Sequence, residues 1–443
     1  MTRPDPATSG EIAEEQDLGS VFVSNYPPYS VWSEAAVAEA IQALDTTPST
    51  ERDFGLYLHI PFCRKRCKFC YFRVYTDKNF DEIGSYLDAL GREVEIYSAK
   101  AAVAGRAPRF VYFGGGTPSY ISAKHLRALV ERVRAAIPWT GAEEVAFECE
   151  PGTLTEAKLQ AIREIGVTRL SLGIENFDDD ILRLNGRAHV SKEIDRCLPW
   201  IRSLEFDQLN VDLIAGMLSE TWDKWRTTVA KAIALDADSV TIYQLELPYN
   251  TRFTSKILHG ELEVPVADWE TKREWHAYAI EEFGKAGYET SSAYTLVKKD
   301  RPCRFLYRDS VWRGCDLLGA GVASFSHING VHFQNCDGWG EYLARVASYE
   351  LPLSRAFATG AEERLIREFI LQLKLGKLGS AGFSEKFGVD VLERFAEPLA
   401  SLQTAGWLEV KEECVQLTPA GLLRVDSLLP NFYEDRFRNA RYT

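Results

Sequence analysis

The chain has 443 residues with 51 basic and 64 acidic side chains, a formal net charge of −13, and this acidic balance excludes a dedicated nucleic-acid surface, which needs a basic face. No apolar run approaches the ~20 residues of a membrane span, and Met1–Pro6 opens no signal-peptide segment, so a cytoplasmic protein with reduced thiols and no membrane partner is expected. An apolar content of 46% and an aromatic content of 12% describe a packed globular protein, long enough for a catalytic domain plus an accessory one, with nothing that demands more than a monomer.

Residues 1–50 read as an N-terminal extension, polar at first and then carrying Tyr26-Pro-Pro-Tyr29-Ser-Val-Trp32 and a short helix over Ser33–Leu44. Across 51–260, apolar strands alternate with amphipathic helices. The strands are Gly55–Ile60, Arg109–Phe113, Glu144–Glu148, Arg169–Leu172, Gln208–Ile214 and Ser239–Leu245; the helices are Asp81–Lys100, Ser122–Ala136, Glu156–Ile165, Asp178–Leu184, Lys192–Ser203 and Trp222–Ala234. Six such units imply parallel strands with right-handed crossovers, too few for an eight-stranded barrel. A partial, open α/β barrel with its working loops at the strand C-termini is expected. Residues 261–355 read as an α/β extension. Residues 356–443, with a helix over Glu362–Leu375, a helix-turn-helix pattern and a hairpin, read as a winged-helix-like cap whose role in so acidic a chain is packing or substrate cover.

The first strand runs into Cys63-Arg-Lys-Arg-Cys67-Lys-Phe-Cys70. Four thiolates close the coordination of a cubane iron–sulfur cluster, whereas three leave one iron open to a small molecule. Zinc prefers four ligands, and a disulfide is disfavoured by the odd count and the absence of a secretory signal. Arg64-Lys65-Arg66, inside the loop, is either solvated charge or a dock for an acidic electron donor or an anionic substrate group. The remaining six cysteines are scattered and form no second cluster motif.

Later strand ends carry the partners such an iron needs. Gly114-Gly-Gly-Thr-Pro118 exposes backbone N–H groups. Glu148-Cys-Glu150, Ser171-Leu-Gly-Ile-Glu175, Arg187, Asn210-Val-Asp212 and Tyr243-Gln244 deliver carboxylates and a guanidinium to the same rim. That set suits a zwitterionic sulfonium nucleoside such as S-adenosylmethionine (SAM): acids for its ammonium and ribose hydroxyls, Arg187 for its carboxylate.

Leu56-Tyr-Leu-His-Ile-Pro-Phe-Cys63, Gly114-Gly-Gly-Thr-Pro118, Ser171-Leu-Gly-Ile-Glu-Asn-Phe177, Asn210-Val-Asp-Leu-Ile-Ala-Gly216 and Ile242-Tyr-Gln together resemble the oxygen-independent coproporphyrinogen III oxidase family of radical SAM enzymes. The likeness runs from about Tyr57 to the C-terminus. It implies a 4Fe-4S cluster on Cys63, Cys67 and Cys70 and a SAM held by Tyr57, Gly115, Glu148, Arg187, Asp212 and the Tyr243–Gln244 stretch. It also implies a second SAM near Phe69, Gly116, Thr117 and Glu175, and a flavodoxin- or ferredoxin-type electron donor. Two departures stand out: the porphyrinogen oxidases' N-terminal Arg-Tyr-Thr-Ser-Tyr-Pro segment is absent, and Cys303–Trp312 replaces the haem-chaperone motif. Glu175 also stands where a glutamine is usual. These departures favour the class C methyltransferase and cyclopropanase branch, with transfer of a SAM-derived carbon to an sp2 carbon of an aromatic or unsaturated substrate. Decarboxylation of a porphyrinogen and haem carriage are the alternatives. Glu175, Tyr243, Glu246 and His327 are the candidate bases, and Val322–His327 with His332–Asn335 a candidate substrate wall.

Overall fold

The computed structural model describes residues 21–48, 52–249, 251–259, 266–438 and 440. Its centre is six parallel strands in chain order: β1 (Phe54–Ile60), β2 (Phe110–Gly115), β3 (Glu144–Cys149), β4 (Arg169–Glu175), β5 (Gln208–Ala215) and β6 (Ser239–Gln244). The strands are largely apolar because helices cover their outer face, the pattern expected of a parallel sheet. Four of the crossover helices start where a short polar side chain accepts from their first free N–H groups: Asn79 before Phe80–Ser98, Ser122 before Ala123–Ala136, Thr155 before Glu156–Glu164, Thr221 before Trp222–Ala234. Inward-facing residues alternate along each strand with residues such as Leu56, Val111, Phe147, Leu172 and Val211, which are fully buried beneath the helices.

The extension adds strands to both edges of this sheet. β7 (Tyr288–Thr290) and β8 (Thr295–Lys298) are antiparallel neighbours on the β6 side. On the β1 side β9 (Asp316–Ala320) adds a seventh parallel strand, followed by antiparallel β10 (Phe325–Ile328), β11 (Val331–Asn335) and β12 (Leu353–Ala358), for twelve strands in all.

The C-terminal part has its own core. The helix Ala361–Leu373 packs Leu365 and Phe369 with Phe383, Phe395 and Phe432, beside a small antiparallel sheet ordered β13 (Lys377–Gly379), β15 (Cys414–Leu417), β14 (Leu408–Lys411). The N-terminal segment feeds this core: Val23 and Tyr26 are buried in it, and Ser33 bridges to Ala356 of β12. The expected polar stretch of the N-terminus lies largely outside the described residues. The expected helix over Ser33–Leu44 begins as a single tight turn at Glu34–Ala36 and becomes α-helical at Val37–Leu44.

Candidate active site

The period of two along each strand brings Tyr112, Glu148, Ser171, Gly173, Glu175, Asn210, Asp212, Thr241 and Tyr243 to one cavity of about 460 Å³ at the strand C-termini. The cysteine loop closes one side of it. Backbone bonds hold that loop in place: Cys63 N–H donates to Tyr75 (3.0 Å), Tyr75 N–H to Pro61 (2.8 Å) and Lys68 N–H to Asn185 (3.1 Å). The glycine run seats against it, with Gly116 N–H on Ile60 O (2.9 Å) and Thr117 N–H on Phe62 O (2.8 Å). A Cβ at Gly116 would lie 2.9 Å from Phe62 O, and Gly115 has φ +117°, so this approach requires glycines.

The three thiols all line the cavity. Cys63 Sγ lies 3.3 Å from Thr117 Oγ1, and Arg187 Nη1 donates to Cys67 Sγ at 3.3 Å. Burial pushes the Cys63 thiol up to about 12 and that of Cys70 up to about 11. Among the described residues no three His, Cys, Asp or Glu side chains converge on a single-ion site. A cubane does not need that convergence, because each thiolate ligates a different iron at its own corner. The donor set therefore fits the cluster that three thiols, a neighbouring guanidinium and an adjoining open cavity imply.

Arg187 organises the acids. Its Nη2 donates to Gly173 O (2.7 Å) and lies 3.5 Å from Glu175 Oε1, while its buried Nε has no partner among the described residues. A Cβ at Gly173 would come within 3.0 Å of Glu175 Oε1. Burial alone would lower the pKa of Arg187, but Cys67, Glu175 and Glu150 outweigh it and hold it above its ordinary value. Glu148 accepts from Tyr112 Oη (2.7 Å) and Gly115 N–H (3.2 Å); Asp212 accepts from Ser171 Oγ (2.8 Å) and Asn210 Nδ2 (2.9 Å). Burial raises both Glu148 and Glu175 to about 7, against the pull of Tyr112 on the first and Arg187 on the second, and raises Asp212 as well. Glu175 has φ +65°, beside a register irregularity between Gly173 and Glu175 where β4 meets β5. A non-glycine residue there is strained by about 1–3 kcal/mol.

Phe69, Gly115, Gly116, Thr117, Glu148, Glu175, Arg187, Asp212, Tyr243 and Gln244 line the cavity, as the strand-end pattern anticipates. Tyr57 and His327 with its neighbouring segments lie outside the cavity lining, and Gln244 and Glu246 reach it with polar groups already engaged. Tyr57, in register with Tyr112 on the inward face, is stacked 5.8 Å from it with its hydroxyl 3.2 Å from His59 Nδ1 and does not itself line the cavity. The Gln244 amide is committed to Leu423 O (3.0 Å) and His276 (3.2 Å), a cross-link between β6 and the C-terminal part. Glu246 lines the cavity and accepts the N–H groups of Val21 (3.0 Å) and Phe22 (2.9 Å) on Oε1, so it also anchors the N-terminal segment. His327 is buried on β10, 3.0 Å from His332 Nδ1, and Val322–His327 and His332–Asn335 are core rather than substrate wall.

Sequence reasoning missed Tyr112 and Ser171, although strand alternation marks both as inward. It also missed Tyr294, Arg273, Arg424 and Asp426, which reach the cavity from the extension and the C-terminal part and carry no local signal. Cys303–Trp312 turns out to close the barrel floor: Phe305 lines the cavity, Tyr307 packs 4.4 Å from Tyr112, and Glu144 accepts the N–H groups of Leu306 and Tyr307 (2.9 Å each).

A partial parallel barrel with three loop thiols and an acid–arginine rim defines the radical SAM class, and residues 57–232 match the radical SAM superfamily. Residues 361–424 match the HemN C-terminal domain, so the chain is a HemN-like radical SAM enzyme. It is 28% identical over 380 residues to the heme chaperone HemW of Bacillus subtilis (strain 168), spanning 83% of this chain and 96% of that one. It is 25% identical over 452 residues to the oxygen-independent coproporphyrinogen III oxidase of Pseudomonas aeruginosa, spanning 96% and 97%. The solved Escherichia coli coproporphyrinogen III oxidase, HemN, superposes with a TM-score of 0.80 over 94% of this chain and 99% of that one, at 24% identity.

Proposed function

We propose that this enzyme uses SAM and a 4Fe-4S cluster on Cys63, Cys67 and Cys70 to abstract hydrogen from a small organic substrate, and that the substrate chemistry is closest to that of the coproporphyrinogen oxidases among its relatives. The observation that carries this reading is that one cavity is lined by the three thiols, Arg187 and the inward acids together with Arg273 and Arg424. Arg424 offers a cation to an anionic substrate group, and two of the relatives are named as oxygen-independent coproporphyrinogen III oxidases. When bound, the cluster and SAM supply one-electron cleavage of the sulfonium to a 5′-deoxyadenosyl radical. The chain's own residues do the rest. Arg187 offers its Nε to an anionic group, Glu148 and Asp212 receive donors, and Val21 and Phe22 cover the cavity and limit water.

A second reading, transfer of a SAM-derived carbon, is favoured by Glu175. A strained, buried carboxyl raised to about 7 at the cavity wall is poised to accept a proton near neutral pH. It would stand where carbon transfer needs a base.

One experiment separates the readings. Protein reconstituted anaerobically with iron and sulfide, then reduced, is given SAM and coproporphyrinogen III. The oxidase reading expects 5′-deoxyadenosine together with a decarboxylated porphyrinogen by mass spectrometry. Methyl-deuterated SAM that labels a product supports carbon transfer instead. Stoichiometric haem binding without 5′-deoxyadenosine overturns both in favour of a carrier.

A further inference from the structure

The cysteine loop carries charge of a sign opposite to the rest of the molecule. Lys65 and Lys68 lie within the loop itself, and Arg252 and Lys256 come from the short helix Arg252–Leu258. The two segments are stitched together by the Phe253 N–H donating to Lys68 O at 3.2 Å. Arg252, Lys256 and Lys65 are exposed, and Lys68 is half-buried. Lys256 follows Arg252 by one turn of that helix, and the bond from Phe253 seats the helix on Lys68, so the four cations share one patch. Among the described residues none of the four has a carboxylate within ion-pair distance. Elsewhere the surface runs acidic, at a net −13. An uncompensated cationic patch on such a protein raises the local concentration of an acidic partner and steers its approach.

We propose that Lys65, Lys68, Arg252 and Lys256 form the docking surface for a small acidic one-electron-carrier protein. The proposal rests on the radical SAM reading, which requires an electron from outside because the sequence shows no second cluster motif. Docking here puts the carrier's redox group against the loop that bears Cys67 and Cys70. One electron leaves the carrier, whose reduced flavin or iron centre is oxidised by one equivalent, and is consumed in the reductive cleavage of SAM.

The test is the Arg252→Glu/Lys256→Glu variant, which leaves the cysteine loop's own residues intact, with an acidic flavodoxin as probe. Oxidised flavodoxin is titrated against reconstituted protein by flavin fluorescence at about 50 mM and about 200 mM NaCl. Wild-type affinity should fall about 10-fold over that range, and the variant should bind about 10-fold more weakly at low salt and lose the salt dependence. Photoreduced flavodoxin should drive 5′-deoxyadenosine formation about 10-fold more slowly in the variant, while excess dithionite drives both proteins alike. Wild-type flavodoxin affinity in the variant overturns the proposal. So does a variant that loses binding to an RNA oligonucleotide while keeping its flavodoxin-driven rate. Failure of dithionite to support any SAM cleavage counts against the radical SAM reading, and the binding titration still decides the docking surface.

Discussion

Glu148, Glu175 and Asp212 share a cavity with one nearby guanidinium, Arg187, and burial raises all three carboxyls. A carboxyl with a raised pKa binds its proton more tightly folded than unfolded. Stability therefore falls as pH rises between the ordinary 4.5 and about 7, and the penalty is complete above that. Glu175→Gln removes one of these charges. It should melt higher than wild type at pH values above about 7, by about 2–4 °C, with the gap closing toward acid. Differential scanning fluorimetry across pH checks the sign, and an equal gap at all pH values would contradict the placement of Glu175. Arg187→Met removes a donor to Cys67 and Gly173 and the unpartnered Nε. SAM binding to the reconstituted variant should weaken by about 10-fold or more, the usual cost of a lost charge-assisted hydrogen bond, as read by equilibrium dialysis.

At the scale of elements, the N-terminal segment behaves as a strap. Glu246 on the barrel side accepts the N–H groups of Val21 and Phe22, and Asp426 on the C-terminal side accepts that of Val23 (2.8 Å) while pairing with Lys374 (2.6 Å). Phe22 then lies against Tyr294 (5.5 Å) and under the Lys374 ammonium (4.2 Å) at the cavity edge. Glu246→Ala leaves two N–H groups without their acceptor. Deuterium uptake at residues 21–23 should rise by about 10-fold or more, as expected for an opening made easier by more than 1 kcal/mol, with the barrel strands unchanged. The floor helix Leu306–Trp312 is the counterpart at the other end, held by a buried Glu144 that spends both oxygens on its first N–H groups.

At the scale of the whole molecule, the core does not pass through the cysteine loop. The sheet of twelve strands and the C-terminal core pack around apolar side chains, and the loop is tied down by its own backbone bonds. Stripping iron should therefore leave the far-UV circular dichroism unchanged and lower the melting temperature by only about 2–4 °C, unlike small metal domains that unfold without their ion. A collapse of secondary structure on chelation would show that the cluster itself supports the fold. The C-terminal part contributes to the cavity, which Leu422, Leu423 and Arg424 line, and ties down Gln244 through Leu423 O.

Much of this was legible in the sequence because it depends on local periodicity. Six parallel strands, their crossover helices, the three thiols and the strand-end acids all follow from alternation, capping residues and motif spacing. Where those cues were silent, the tertiary structure decided. Tyr57 faces the barrel interior as alternation requires, but Tyr112 stacks across it, and only packing shows which ring reaches the cavity. Glu246 is chemically able to serve as a base, but its oxygen is taken by a segment 224 residues away in the chain. His327 carries the right chemistry, but β10 lies beyond β9 on the β1 side of the sheet, and His327 is buried there with His332. Sequence determines what a residue can do within its own strand or turn; which neighbour occupies it is set by contacts between distant segments, and these depend on how the whole chain packs.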